Sequence, residues 1–205
     1  MGIRDKAVLA GATVAVGLAG CGESETAGPA NPVRPPTAMA SATPHTTAQE
    51  RPRGVAEGCS TRSEASFPGA FTDRSNLVVG PLALMGAGGR PAFNSEFGGN
   101  KFPLLVRNGH RVTVALSRRT RRGAGLAWGP LPHGQVRVRD AHRIVRFIAC
   151  RHGTPSGSSA DGRPVTFWSG GVLARSPRCV PLRIWVDDQR SPRGAVIRLG
   201  VRRCG

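Results

Sequence analysis

Val180-Pro-Leu-Arg-Ile-Trp-Val-Asp187 places an apolar β-former at every second position over the length of a strand. Successive side chains of a strand point to opposite sides, so one face collects Val180, Leu182, Ile184 and Val186. The segment 195–204 repeats this period with Ile197, Leu199 and Val201. Both segments therefore predict strands with one face in a core and the other toward solvent.

An antiparallel pairing of these two segments can match apolar partners throughout: Leu182 with Val201, Ile184 with Leu199, and Val186 with Ile197. On the opposite face the same register sets Cys179 against Cys204. Directly opposed Cα atoms lie about 4.5–5.5 Å apart, which a disulfide can span. This register also puts Trp185 beside Arg198, as in a cation–π pair. We therefore expect a Cys179–Cys204 bridge between the last two strands.

Further short apolar runs lie upstream, between clusters of Gly, Pro and Asn. Segments 102–106 and 111–116 flank Asn108-Gly109, a dipeptide that favours a two-residue hairpin turn because both residues tolerate positive φ. Segment 135–139 alternates valine with glutamine and arginine. We expect strands in all of these segments, the first two of them forming a hairpin.

Segment 164–174 is interrupted by Gly170-Gly171, which indicates a bulge or kink, or else a loop between two shorter strands. Almost no apolar run has the length or the period of a helix. The sequence thus predicts an all-β domain over residues 57–205, an immunoglobulin-like sandwich of about seven or eight antiparallel strands with two disulfides.

The start of the chain has the layout of an export signal. Charged residues at positions 4–6 precede an apolar segment, 7–19, that is too short to span a bilayer as a helix. The segment ends in Leu18-Ala19-Gly20-Cys21, which resembles the lipobox of bacterial lipoproteins. The resemblance implies that 1–20 is a lipoprotein signal peptide and that diacylglycerol on Cys21 anchors the mature protein at the extracytoplasmic face of the cell membrane. The alternative is an ordinary signal peptide with a cysteine at its cleavage site.

Cysteine usage agrees with export. Four cysteines follow Cys21, at positions 59, 150, 179 and 204, and an even number in an exported domain favours two disulfides with three possible connectivities. If Cys179 joins Cys204, elimination leaves Cys59 with Cys150. No Cys-x-x-Cys and no Cys/His cluster at zinc spacing is present, so we expect no metal site and no cofactor.

The charge of the chain is strongly positive. Removing residues 1–20 takes the formal net charge from +17 to +16, and almost all of the basic residues are arginine. Abundant Ala, Gly, Pro and Arg without Tyr is typical of a GC-rich genome, such as that of an actinobacterium, so part of this basicity could reflect codon usage. A cationic domain held at an anionic bilayer is attracted to lipid headgroups and phosphate-bearing polymers. Nucleic acid is not an expected partner of an exported protein.

Residues 21–56 are rich in Ala, Pro, Thr, Ser and Gly and lack hydrophobic periodicity. Such a segment cannot bury enough apolar surface to offset its ordering entropy, so we expect a flexible linker between the lipidated cysteine and the domain. Its Ser/Thr/Pro run is of the kind that carries O-glycans in some stalks.

A second resemblance concerns the folded part, roughly residues 100–205. Phe147-Ile-Ala-Cys150, Phe167-Trp-Ser-Gly-Gly-Val172, Arg178-Cys-Val-Pro-Leu182 and Cys204 together resemble disulfide-bonded β-domains of exported actinobacterial proteins of unknown function. The resemblance rests on spacing. It implies a fold and export from the cytoplasm, and it implies no activity.

An envelope hydrolase is the alternative to a binding module. Asp140 and His142 fall on one strand face, and Ser169 precedes two glycines. A Ser-His-Asp site needs these groups to converge beside an oxyanion hole, and no Gly-x-Ser-x-Gly elbow is present. A metal site formed by His142, His152 and Asp161 is conceivable. The favoured interpretation is that these histidines lie in solvent-exposed loops and bind no metal. We expect no catalytic residues and no metal ligands.

The most localised surface feature is the basic run Arg118-Arg119-Thr120-Arg121-Arg122. Guanidinium groups pair bidentately with phosphate, so Arg118, Arg119, Arg121 and Arg122 are the candidate residues for an anionic ligand, although a run of charge is often only a solvated loop. The preferred function is a non-enzymatic binding or scaffolding module of the cell envelope. Its candidate partners are anionic lipid headgroups and an anionic wall polymer.

Overall fold

The computed structural model describes residues 53–155 and 157–205. The predicted signal peptide, Cys21 and the predicted linker up to residue 52 lie outside the described residues. The described part contains one 3-10 turn, Cys59–Thr61, and no α-helix. Its strands are β1 Val55–Glu57, β2 Leu77–Val79, β3 Leu82–Leu84, β4 Gly99–Lys101, β5 Leu104–Arg107, β6 Arg111–Leu116, β7 Ala124–Ala127, β8 Ile144–Ile148, β9 Ser159–Ala160, β10 Arg163–Trp168, β11 Gly171–Ala174, β12 Arg178–Val186 and β13 Arg193–Leu199.

The strands form three sheets. Sheet 1 has the order β1-β8-β6-β12-β13, sheet 2 the order β2-β3-β5-β10-β9, and sheet 3 the order β4-β11-β7. All neighbouring strands are antiparallel except β1 and β8, which run parallel. The all-β sandwich with two disulfides is confirmed. There are thirteen strands rather than seven or eight, because several apolar runs are divided at glycines or pass from one sheet to another.

One core joins the three sheets. Every second residue of the long strands enters it, as the period predicts: Val180, Leu182 and Ile184 of β12 are all buried. Aromatic rings fill its widest part, where the centroid of Phe147 lies 5.9 Å from that of Trp128 and 5.2 Å from that of Trp168. Edge-to-face and tilted contacts of this kind add to the free energy gained by burying the rings.

The predicted register between the last two strands is wrong by six positions. Cys179 lies opposite Arg198, not Cys204. The shift is even, so each strand keeps its apolar face toward the core. β13 ends at Leu199 because Gly200 has a φ of +66°, and the chain leaves the sheet there. The expected Trp185–Arg198 pair is therefore absent, and Trp185 instead stacks with the guanidinium of Arg183, 4.8 Å from its centroid.

Both predicted disulfides are nevertheless present. Cys204 reaches Cys179 from the irregular segment after β13, with the two Cα atoms 5.8 Å apart. Cys59 follows β1 and Cys150 follows β8, and their Cα atoms lie 4.8 Å apart. This second bridge closes a loop of 91 residues that contains most of the strands.

The predicted hairpin at Asn108-Gly109 is a crossover between sheets. β5 pairs with β3 and β10, whereas β6 pairs with β8 and β12. The turn itself forms as expected, since Gly109 has a φ of +85°. A local turn signal identifies the change of direction, and the sheet that each flanking strand joins depends on contacts distant in sequence.

Two further segments differ from expectation. The predicted strand 135–139 is irregular, because the side chain of Asp140 accepts a hydrogen bond from the backbone N–H of Arg137 and closes a turn. At the glycine pair the bulge or kink is not formed and the alternative, a loop between two shorter strands, is confirmed: the chain leaves sheet 2 after Trp168 and enters sheet 3 at Gly171.

Residues 55 and 56, which the sequence placed at the end of the predicted linker, belong to β1. Gly54 packs directly on the backbone of Ile144, where a Cβ would overlap the Ile144 carbonyl. The chain thus enters sheet 1 at the start of β8. Over the described ranges, no helix has the length and apolar character needed to cross a membrane.

Candidate functional site

The predicted arginine run forms the turn between β6 and β7. Ser117 and Thr120 fix its backbone, since the N–H of Thr120 donates to the Ser117 carbonyl at 3.2 Å and their hydroxyls lie 3.0 Å apart. Arg118, Arg119 and Arg122 are exposed. Arg121 differs from them, because it folds back and its Nε donates to the carbonyl of Leu116 at 3.5 Å.

Three arginines distant in sequence meet the same turn. Arg143, just before β8, donates from Nη1 to the carbonyl of Ala124. Arg175 donates its backbone N–H to the carbonyl of Gly123 at 3.1 Å. Arg178 lies so close to Gly123 that a Cβ there would overlap its guanidinium. We call these seven residues the arginine cluster: Arg118, Arg119, Arg121, Arg122, Arg143, Arg175 and Arg178.

The described residues supply no carboxylate that neutralises the arginine cluster. In the two described ranges, no carboxylate lies within 4.0 Å of any of its guanidinium groups. Burial lowers the pKa of Arg143, and the positive charges of Arg175 and Arg121 lower it further. The Nε of Arg178 is buried without a hydrogen-bond partner in the described structure. An anion at this surface would relieve the mutual repulsion of the cations and supply acceptors for their N–H groups.

Sequence reasoning identified four of these residues and missed Arg143, Arg175 and Arg178. The four form one run, which is visible in the sequence. The other three are isolated, and they reach the turn only because β7 pairs with β11 and a bridge joins Leu126 to His142. No local pattern carries that information.

The residues of the alternative hydrolase are engaged elsewhere. The Nε2 of His142 donates to the carbonyl of Pro130 at 3.0 Å. Asp140 accepts from the backbone of Arg137, and Ser169 lies 3.5 Å from the hydroxyl of Ser63. None of the three side chains hydrogen-bonds to another in the part of the chain that is described.

The remaining candidates occupy separate places. Asp161 accepts hydrogen bonds from the backbone N–H groups of Gly69 and Phe71, at 2.6 and 3.2 Å. Within the described ranges, no group of three or more His, Cys, Asp or Glu side chains is arranged to hold a metal ion. All three tryptophans are buried, so they form no exposed platform for a sugar: Trp128, Trp168 and Trp185.

Comparison with known proteins identifies no relative, since no family model matches this chain and neither a curated protein nor a solved structure resembles it significantly.

Proposed function

We propose that this protein is a non-enzymatic binding module of the cell envelope, anchored by lipid on Cys21, and that its arginine cluster binds anionic phosphodiester groups. Lipid headgroups and a wall polymer both present such groups. The observation that carries the proposal is the convergence of seven arginines from three separate segments, with no carboxylate of the described residues among them. If the arginine run served only to keep the protein soluble, there would be no reason for arginines from other segments to pack against it.

The architecture of the cluster supports this interpretation. Arg121 and Arg143 are held by backbone carbonyls, which leaves them oriented before any ligand arrives. Arg118, Arg119 and Arg122 extend outward from the same turn. A fixed base with exposed outer side chains suits an extended anionic surface better than a single small ligand.

The test is co-sedimentation of the full-length, unacylated protein with vesicles of phosphatidylglycerol and phosphatidylcholine, at low and high salt. The triple variant R118Q/R119Q/R122Q should bind about a hundredfold more weakly, because each basic residue near an anionic surface contributes about 1 kcal/mol. The binding of the unchanged protein should fall as salt screens the surface.

The matched control is R74Q/R90Q/R190Q, which removes the same charge from exposed arginines outside the cluster. Equal weakening in both triple variants would show that net charge alone acts and would overturn the role of the cluster. Residues 1–20 are identical in all three proteins, so insertion of that segment into lipid affects them equally. Purified cell wall in place of vesicles distinguishes a polymer from a headgroup, and the mass of the Cys21 peptide from cells tests the anchor.

A further inference from the structure

A second cationic site lies at the opposite end of β6, where the chain crosses from sheet 2 to sheet 1. It is a cleft of about 240 Å³. That volume is below the roughly 300–1,000 Å³ of sites for drug-sized ligands, so the cleft suits a small group. Its walls are formed by Arg107, Asn108, His110, His152, Arg163 and Pro164.

The cleft contains more hydrogen-bond donors than acceptors. Arg107 stacks on Phe71, with its guanidinium carbon 3.9 Å from the ring centroid, and its Nη1 is buried with no hydrogen-bond partner in the described structure. Neither Arg107 nor Arg163 has a carboxylate within 4.0 Å in residues 53–155 and 157–205. A buried guanidinium N–H without an acceptor is costly to leave unpaired, and an anion in the cleft would supply the acceptor.

The carboxylate beside the cleft is already engaged. Asp187 lies 2.8 Å from Nδ1 of His110 and accepts the backbone N–H of Arg111 at 2.9 Å. The pairing fixes the His110 ring through Nδ1 and leaves Nε2 for another partner. Asp187 therefore orients a wall of the cleft, and it does not neutralise the two arginines.

The floor of the cleft is rigid. Asn108 is almost fully buried, donates to the carbonyl of Thr154 at 3.3 Å and accepts from the hydroxyl of Thr166 at 2.8 Å. The same hydroxyl accepts the backbone N–H of Cys150 at 2.8 Å. This network joins the crossover to the loop that follows β8, and the Cys59–Cys150 disulfide holds the start of that loop. Groups that are held in place before binding lose less entropy when a ligand arrives.

Gly109 allows the ring of His152 to pack closely enough to form the last wall of the cleft. A Cβ at this position would overlap the imidazole of His152, so the ring rests on the glycine backbone. The rings of His110 and His152 meet edge to face, with centroids 6.2 Å apart. His152 makes no hydrogen bond within the described ranges, and because its Nε2 is the ring atom packed against Gly109, Nδ1 is the nitrogen that faces a ligand.

We propose that this cleft binds a phosphate monoester or inorganic phosphate. Arg107 and Arg163 supply the charge and His152 supplies a directed donor, while His110, whose Nδ1 proton is engaged by Asp187, offers Nε2 as an acceptor for a P–OH group. The site shares no residue with the arginine cluster, so it stands or falls separately from the proposed function.

The test is titration of the full-length, disulfide-bonded protein with inorganic phosphate, followed by calorimetry and by ¹H–¹⁵N spectra. Saturable binding with shifts at Gly109 and His152 is expected. The variants R107M and R163M should each weaken binding about tenfold, since a charge-assisted hydrogen bond is lost. The control R146M removes an exposed arginine of β8 outside the cleft and should leave binding within about twofold.

Arg163 is exposed, so R163M tests the site even where loss of the Arg107–Phe71 stack impairs folding. Absence of saturable binding, or equal weakening in R146M, would overturn the proposal. Glycerol 3-phosphate and vesicles containing phosphatidic acid carry the same phosphate monoester. Binding of the first assigns a soluble ligand, binding of the second alone assigns a headgroup, and binding of inorganic phosphate without either ester assigns the free ion.

Discussion

Removal of the Cys59–Cys150 bridge should destabilise the domain more than removal of the Cys179–Cys204 bridge. The first closes 91 residues and the second closes 25. In the chain-entropy treatment these loops correspond to about 4.6 and about 3.5 kcal/mol, a difference of about 1 kcal/mol. The unfolded chain gains most freedom when the longer loop opens, because that loop holds all strands from β2 to β8.

The measurement is urea unfolding of the double variants C59A/C150A and C179A/C204A, followed by tryptophan fluorescence. Trp128 and Trp168 are buried in the core, so their emission reports global unfolding. Both variants should unfold with a steeper dependence on urea, since the unfolded chain without a bridge exposes more surface. A larger loss of stability in C179A/C204A would refute the argument from loop length.

Two other changes test local features of the cleft. Burial alone would raise the pKa of Asp187, but hydrogen bonds from the Arg111 backbone and from His110, with their charges, lower it below the ordinary 3.8. The stabilisation is thus fully present above the unfolded-state pKa of 3.8 and is lost as the pH falls through the lower folded-state pKa, so the destabilisation caused by D187N in urea unfolding should shrink as the pH falls below 3.8. G109A should cost more stability than G153A. Both glycines have positive φ, yet a Cβ at Gly109 would overlap the ring of His152, whereas a Cβ at Gly153 meets nothing within 4 Å outside its chain neighbours. Equal losses in thermal unfolding would contradict the close packing of His152 on Gly109.

The period-2 pattern of the sequence was sufficient to predict the class of the fold and the buried faces of the long strands. It could not predict which strands pair. The predicted register of β12 with β13 was wrong because the strand ends before Gly200 and does not continue to Cys204. A glycine in the sequence does not by itself predict whether a strand ends or continues. The cysteine pairing was still correct, because a short tail can bring Cys204 back to Cys179.

The candidate sites show the same limit. The run 118–122 could be identified as basic from sequence, whereas its partner Arg143 depends on a bridge between residues 126 and 142. The cleft that we propose to bind phosphate was not predicted from the sequence. Arg107, His152 and Arg163 are unremarkable alone, and Asn108-Gly109 was interpreted as a hairpin turn when it is the crossover around which the cleft is built.

Gly54 rests on Ile144, directly beside Arg143, so the polypeptide joins the domain at the same end as the arginine cluster. If the proposed lipid anchor on Cys21 is present, the tether would join the domain beside the arginine cluster, and a shorter tether would raise the effective concentration of its guanidinium groups at the membrane. The cleft lined by Arg107 and Arg163 lies at the other end of β6.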